Sequence, residues 1–217
     1  MTKPKSLVGG LIHCIAASFS IVALVLLIVF ASIYGNAYHI VSYTIFGTSM
    51  FLMYLFSTLY HWLNISGKAL TFFRKFDQIL SYIFIGGTYT PLCLVLLRGA
   101  WGWSIFGVIW GLVVGAIIMS AIWTRMPKAL TYSLFFTISS TLLIAIVPLI
   151  NAFNNLNIFN GFWLFLIGTL IYFFGGLSYI LKWPKINAKH FTNHELLHIF
   201  IVLGSTSHFW LYIYYLL

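Results

Sequence analysis

Seven apolar runs, each long enough to cross a lipid bilayer, dominate this chain of 217 residues. A membrane-spanning helix needs about 20 apolar residues. Only 6% of the residues are charged, whereas a soluble domain carries roughly 25%. The sequence therefore predicts an all-α membrane protein, a single domain folded as a bundle of seven transmembrane helices. The predicted spans are residues 11–33, 40–62, 76–97, 102–123, 130–150, 162–181 and 194–217.

The basic residues indicate how this bundle is oriented. With the N-terminus in the cytoplasm, only Arg98 of the 11 Lys and Arg residues falls on an outer flank. Positive charge concentrates on the cytoplasmic side of membrane proteins. We therefore expect a cytoplasmic N-terminus and an external C-terminus, and we expect the net charge to reflect topology rather than nucleic-acid binding. The inner flanks hold Lys3, Lys5, Lys68, Arg74, Lys75, Arg125, Lys128, Lys182, Lys185 and Lys189.

A stripe of small residues marks the fourth predicted span. Gly107, Gly111 and Gly115 recur every four residues, so they share one helix face. Such stripes let transmembrane helices approach closely. We expect the stripe to pack inside the bundle, and a homodimer interface is the alternative.

Five polar residues are predicted to lie at one depth, near the inner ends of three spans. Ser57 and His61 end the second span, Asp77 starts the third, and His194 and His198 start the seventh. Polar groups in a membrane are costly and point to function. Because residues four apart share a helix face, His194 and His198 can reach one ion. Three imidazoles with an open fourth position form a catalytic zinc site.

This pattern predicts a role for each side chain. We expect His61, His194 and His198 to bind Zn²⁺, and Asp77 to orient or deprotonate the water on the metal. Ser57 is expected to hydrogen-bond a substrate carbonyl or a ligand. The alternatives are a hydrogen-bonded polar cluster without metal, and a protease of the HExxH type with Glu195 as base.

The other four histidines have structural interpretations. His39 and His190 fall in predicted loops and are expected to be solvated. His13 begins the first span and is expected at the interface, and His208 is expected to hydrogen-bond a neighbouring helix.

The polar segments resemble those of the bacterial haemolysin III group, within the progestin and adipoQ receptor family. The resemblance implies a seven-helix bundle in the bacterial inner (plasma) membrane, with zinc near the cytoplasmic face. It implies His61, His194 and His198 as zinc ligands and Asp77 as the residue holding the water. The segments that carry it are Ser57-Thr58-Leu59-Tyr60-His61, Phe76-Asp77-Gln78, Gly87-Thr88-Tyr89-Thr90-Pro91, and His194-Glu195-Leu196-Leu197-His198 with Gly204 and His208.

Two segments depart from this family pattern. Gln78 stands where the family often has His, and residues 9–13 lack the polar and acidic residues often found there. The resemblance also places the chain in a superfamily with alkaline ceramidases, which are zinc amide hydrolases acting on lipids. We therefore expect membrane lipid as the partner and a zinc-dependent hydrolase of lipid amides or esters. The alternatives are a non-enzymatic sensor of membrane state with structural zinc, and cytolytic activity.

Overall fold

Among the described residues, seven helices are long and apolar enough to span a membrane, which confirms the predicted all-α bundle of seven helices. The computed structural model describes residues 6–64, 66–123, 126–186, 188 and 191–217. No β-strand forms within these ranges. The helices are α1 (Leu7–Tyr34), α2 (Ala37–Trp62), α3 (Gly67–Leu97), α4 (Gly99–Ile122), α5 (Lys128–Asn155), α6 (Phe159–Leu181) and α7 (Asn193–Tyr215).

The third helix starts earlier than its apolar run. It begins at Gly67, whereas the sequence predicted a start at residue 76. The first turns carry Lys68, Arg74 and Lys75, which end an apolar run but do not end a helix. Asp77 therefore lies inside α3 rather than at its beginning.

Two helices change their hydrogen bonding part-way along. The α-helical part of α3 ends at Pro91 and continues as a π-helical turn. In α5 a 3₁₀ turn, Thr141–Ala145, comes just before Pro148. Proline lacks an N–H and its ring clashes with the carbonyl four residues earlier, so Pro148 is a local cause for the turn that precedes it. The Tyr89 hydroxyl joins the two regions by donating to the Ser139 carbonyl at 2.9 Å.

Buried hydroxyl groups connect the helices through the interior. The Tyr43 hydroxyl donates to the Tyr212 carbonyl at 2.8 Å, and the Tyr212 hydroxyl donates to the Thr88 carbonyl. Tyr54 and Ser205 share a hydrogen bond of 2.6 Å between their oxygens. In a bilayer every buried polar group needs a protein partner, so these bonds fix the relative positions of α2, α3 and α7.

The glycine stripe of α4 does not pack inside the bundle, so that prediction was wrong. A Cβ atom added to Gly107, Gly111 or Gly115 would meet no atom within 4 Å. The periodicity showed that the three glycines share a face, but it carried no information about where the face points. A homodimer through this face stays a prediction.

Close helix packing instead uses glycines of α6 that are seven residues apart. A Cβ added to Gly161 would lie 3.0 Å from Tyr215, and one on Gly168 would lie 2.5 Å from His208. One on Gly175 would lie 2.5 Å from Phe200. This spacing keeps one face of α6 against α7.

Successive helices run in opposite directions, so each described basic residue can be assigned to one of the two ends of the bundle. Arg98 lies at one end, over the ring of Tyr38 at 5.2 Å. The opposite end, here called the basic end, contains the start of α1, and its cytoplasmic location stays a prediction. Lys3, Lys5, Arg125 and Lys189 lie outside the described residues. The basic end holds Lys68, Arg74, Lys75, Lys128, Lys182 and Lys185.

Candidate metal centre

Three histidines from two helix ends meet at the basic end. His61 lies in the last turn of α2, and His194 and His198 lie in the first turns of α7. Each offers one potential ligand atom, and these atoms all lie within 4.8 Å of one another. The ring centroids are 4.3 to 5.3 Å apart. The structure therefore brings together the three histidines that the sequence predicted as ligands.

The start of α7 is held by a capping box, which orients the two histidines. The Thr192 side chain accepts from the His194 backbone N–H at 3.1 Å. Glu195 reaches back, and its Oε2 accepts from the Thr192 N–H at 2.8 Å and from the Thr192 hydroxyl at 2.5 Å. Reciprocal bonds of this kind satisfy the free donors at a helix start. They fix the first turn, and the four-residue spacing then places His198 beside His194.

Glu195 also ties the first helix to the last. The Ser6 hydroxyl, which caps α1, donates to Glu195 Oε1 at 2.5 Å. Both carboxylate oxygens thus accept hydrogen bonds from structural groups. This geometry disfavours the protease interpretation of the HExxH match, which needs Glu195 as a base. Its Oε1 lies 3.8 Å from His194 Nδ1, where a carboxylate helps to orient an imidazole.

A fourth imidazole, His13, lies beside the cluster. Its ring centroid is 4.1 Å from that of His198 and 6.2 Å from that of His61. His13 is 1% exposed, and neither ring nitrogen has a hydrogen-bond partner among the described residues. The interfacial depth of His13 stays a prediction, whereas its burial against the cluster was not expected. The residue is a polar group of the site that the sequence reasoning missed.

Two glycines explain how α1 comes this close. A Cβ added to Gly10 would lie 1.9 Å from Trp62 Nε1, and one on Gly9 would lie 3.4 Å from the His61 ring. The segment that departs from the family pattern is thus a close contact between α1 and the end of α2. Adjacent glycines in the first turn of a helix were the available signal for it.

The donor set fits a transition metal. Imidazole nitrogens suit zinc, copper, iron and nickel. His61 is 2% exposed and His198 is 6% exposed, whereas the His194 side chain is 37% exposed. The site is therefore enclosed on the protein side and open toward the surface at His194. The arrangement leaves a side from which water or a substrate can approach.

Ser57 and Asp77 lie at matching levels of α2 and α3, but neither belongs to the group of potential ligands. The rings of Phe56 and Phe76, their neighbours in sequence, stack with centroids 5.2 Å apart. Ser57 is buried one turn before His61, and Asp77 is partly buried. Their catalytic roles stay predictions.

His39 and His208 each place a ring nitrogen against a local backbone group. His39 is buried in the first turn of α2, and its Nδ1 accepts from the Asn36 N–H at 3.2 Å, so the predicted solvated loop was wrong. His208 Nδ1 lies 2.9 Å from the Gly204 carbonyl of its own helix, and the ring stacks on Tyr172 of α6. The predicted hydrogen bond from His208 to a neighbouring helix is thus replaced by ring stacking. His190 lies outside the described residues.

Comparison with known proteins shows the family of the chain. The family model described as Haemolysin-III related matches residues 1–209. The chain belongs to this haemolysin III-related family. It is 35% identical to Hemolysin-3 of Bacillus cereus, over 98% of this chain and 92% of the relative. It is 33% identical to the Hemolysin-3 homolog of Bacillus subtilis (strain 168), over 99% of this chain and 95% of the relative. The chain is therefore a multi-pass membrane protein of the haemolysin III type.

Proposed function

We propose that this haemolysin III-related protein is a zinc-dependent hydrolase of lipid amides or esters. The observation that carries the proposal is the group of three histidines at two helix ends, whose potential ligand atoms lie within 4.8 Å of one another. Three histidines with one open position form the ligand set of a catalytic zinc site. A purely structural zinc site more often has four protein ligands, commonly including cysteine.

Five side chains have a defined part in this reaction. His61, His194 and His198 hold the ion, which when bound supplies Lewis acidity toward water and a carbonyl oxygen. Asp77 accepts a proton from the attacking water at a carboxylate oxygen and returns it to the departing amine or alcohol. The Ser57 hydroxyl donates a hydrogen bond to the carbonyl oxygen as negative charge develops there.

An apolar groove between α1, α2 and α7 supports a lipid substrate. Its volume is about 630 Å³, within the range of roughly 300–1,000 Å³ typical of small-molecule sites. It follows α1 from residue 12 to residue 26, a rise of about 21 Å. One leaflet of the hydrocarbon core is about 15 Å thick, so the groove can hold one acyl chain.

The polar end of the groove leads toward the histidines. Tyr54 and Ser205 line the groove and are hydrogen-bonded to each other. The Tyr54 ring lies 5.6 Å from the His13 ring, which in turn lies 4.1 Å from the His198 ring. An acyl chain in the groove can therefore direct its carbonyl group toward the metal centre.

Fatty-acid release from a panel of lipid amides and esters tests the hydrolase. The zinc-loaded protein in mild detergent is compared with Asp77→Asn, and mass spectrometry measures the free fatty acid. We expect Asp77→Asn to keep its zinc and to lose about 100-fold in kcat, the usual contribution of a general base. No fatty acid from any member of the panel, with one zinc bound per chain, would contradict the hydrolase.

A non-enzymatic regulator with structural zinc is the second candidate. The hydrogen bond between Ser6 and Glu195 and the ligands on α2 and α7 together join three helices at the basic end. Zinc at this junction would hold the bundle together without turnover. The Bacillus cereus relative is named Hemolysin-3, so a cell-lysis assay with the same preparation tests cytolysis as a third candidate.

The proposal places the basic end in the cytoplasm of a bacterial cell. The described Lys and Arg residues at that end outnumber the single Arg98 at the other. A reporter enzyme that is active only outside the cytoplasm is expected to be active when fused after Leu217. Activity of the same reporter in the loop that joins α2 to α3, and none after Leu217, would reverse the orientation.

A further inference from the structure

A second cavity opens at the basic end, between α3, α4, α5 and α6. Its volume is about 350 Å³. Arg74 and Lys75 of α3 and Lys128 of α5 line it, and no acidic side chain is among its described lining residues. We call it the basic pocket. Three cations around one cavity of this size create a field that favours an anionic ligand.

A buried hydroxyl group in the basic pocket lacks a partner in the part of the chain that the structure describes. Ser120 of α4 lines the pocket and is 3% exposed. Its Oγ has no hydrogen-bond partner among the described residues. Buried polar atoms are almost always hydrogen-bonded, so a lone one calls for an explanation. An anion in the pocket would accept a hydrogen bond from this hydroxyl.

The helix that contributes Lys128 starts without a side-chain cap. Pro127 occupies the capping position of α5 and makes no side-chain cap hydrogen bond to the first turn. A cation at a helix start opposes the helix dipole. A bound anion would offset the unfavourable interaction between the Lys128 charge and the helix dipole, because the helix start and the Lys side chain both attract negative charge.

Aromatic residues place the basic pocket at headgroup depth and next to the metal centre. Trp123, Tyr132 and Tyr179 line it, and Trp and Tyr concentrate at the level of lipid headgroups. The rings of Tyr132 and Tyr179 are 6.1 Å apart, and the Tyr179 ring is 5.6 Å from that of His194. The pocket is therefore a neighbour of the metal centre with its own lining.

We propose that the basic pocket binds the phosphate group of an anionic phospholipid from the leaflet at the basic end. Basic pockets between transmembrane helices recognise such headgroups. Arg74 and Lys128 supply charge and Ser120 supplies a neutral donor. Lys75 Nζ, which donates to the Ala121 carbonyl at 3.1 Å, is held at the pocket wall. This site does not depend on the hydrolase and remains if the metal centre proves to be structural.

Lipid binding to the purified, metal-loaded protein tests the site. Native mass spectrometry in detergent measures the affinity for phosphatidylglycerol and for zwitterionic phosphatidylcholine. The double variant Arg74→Gln/Lys128→Gln is expected to bind phosphatidylglycerol roughly 30-fold more weakly, as expected for two charges at a membrane surface. The matched control Lys182→Gln/Lys185→Gln removes two charges from the same end outside the pocket, and its affinity is expected to stay within about twofold.

Ser120→Ala keeps all charges. It tests the pocket even where the double variant fails to fold. We expect it to weaken phosphatidylglycerol binding by about fivefold while thermal stability and zinc content stay unchanged. Equal affinity for both lipids, or equal losses in the two double variants, would overturn the proposal. Displacement of the lipid by low-millimolar inorganic phosphate would assign the pocket to soluble phosphate and overturn the lipid assignment.

Discussion

Two sets of histidines in this bundle differ in what their rings face. At the basic end, His61, His194 and His198 come from two helices and their ligand atoms face one another. His39 and His208 lie elsewhere, and each places Nδ1 against a backbone group of its own segment. Burial alone therefore does not identify a metal ligand. A set of ligand atoms that face one another is the better indication of a candidate metal site, because a local backbone bond already accounts for a solitary buried imidazole.

The largest expected difference between the two sets is the response of stability to zinc. Zinc at about 1,000 times its Kd stabilises a folded protein by about 4 kcal/mol. For a chain of this size we expect the wild-type Tm in detergent to rise by roughly 8–16 °C. His61→Ala is expected to show no rise. His208→Phe keeps the ring stacking and is expected to show the full rise in Tm. Absence of that rise in His208→Phe would contradict the distinction between the converging histidines and the locally bonded ones.

Gly168 packs against His208, which is not a candidate metal ligand. A substitution at Gly168 is therefore expected to change stability without changing zinc binding. A Cβ on Gly168 would lie 2.5 Å from the His208 ring, so Gly168→Val overpacks α6 against α7. We expect it to destabilise by about 1–3 kcal/mol, seen as a lower Tm, with zinc content unchanged. Gly111→Val, on the open face of α4, is the matched control and is expected to leave Tm unchanged. Loss of zinc in Gly168→Val would show that the two regions are coupled.

Glu195 hydrogen-bonds the helix starts beside the three converging histidines. Its replacement by glutamine is therefore expected to weaken zinc binding. Glu195→Gln removes the charge beside His194 and weakens the bonds from Ser6 and Thr192. We expect a 10- to 100-fold rise in the zinc Kd, the usual effect of a group that orients a ligand. Competition with a fluorescent zinc chelator measures it. Abolished hydrolysis at unchanged zinc affinity would instead support Glu195 as a base.

His13 carries the smallest expected effect on metal binding. It lies beside His198 but outside the group of three ligand atoms. His13→Phe is expected to keep about one zinc per chain, with the Kd raised less than about tenfold. Complete loss of zinc in this variant would make His13 a fourth ligand. The centre would then be closed, as structural zinc sites are.

Sequence reasoning predicted the spans and the three converging histidines because both follow from position along the chain. Apolar length gives the spans, and span ends give depth. It failed where the direction of a face decides the outcome. Counting residues could not show that Gly107, Gly111 and Gly115 face outward, or that His13 faces inward.

Helix starts were the second source of error. His39 was predicted in a loop because apolar content begins after it, yet the Asn36 cap starts α2 earlier. The charged first turns of α3 were excluded from the third span for the same reason. A helix can begin outside the hydrocarbon core, so the apolar run is a minimum estimate of its length.

The zinc content of the purified protein tests the central claim most directly. Elemental analysis of wild type, His61→Ala and His208→Phe in mild detergent gives the number of zinc ions per chain. The three-histidine centre predicts about one in wild type and in His208→Phe, and less than about one tenth in His61→Ala. Folded wild-type protein without zinc after zinc is supplied, or equal zinc in His61→Ala, would contradict it.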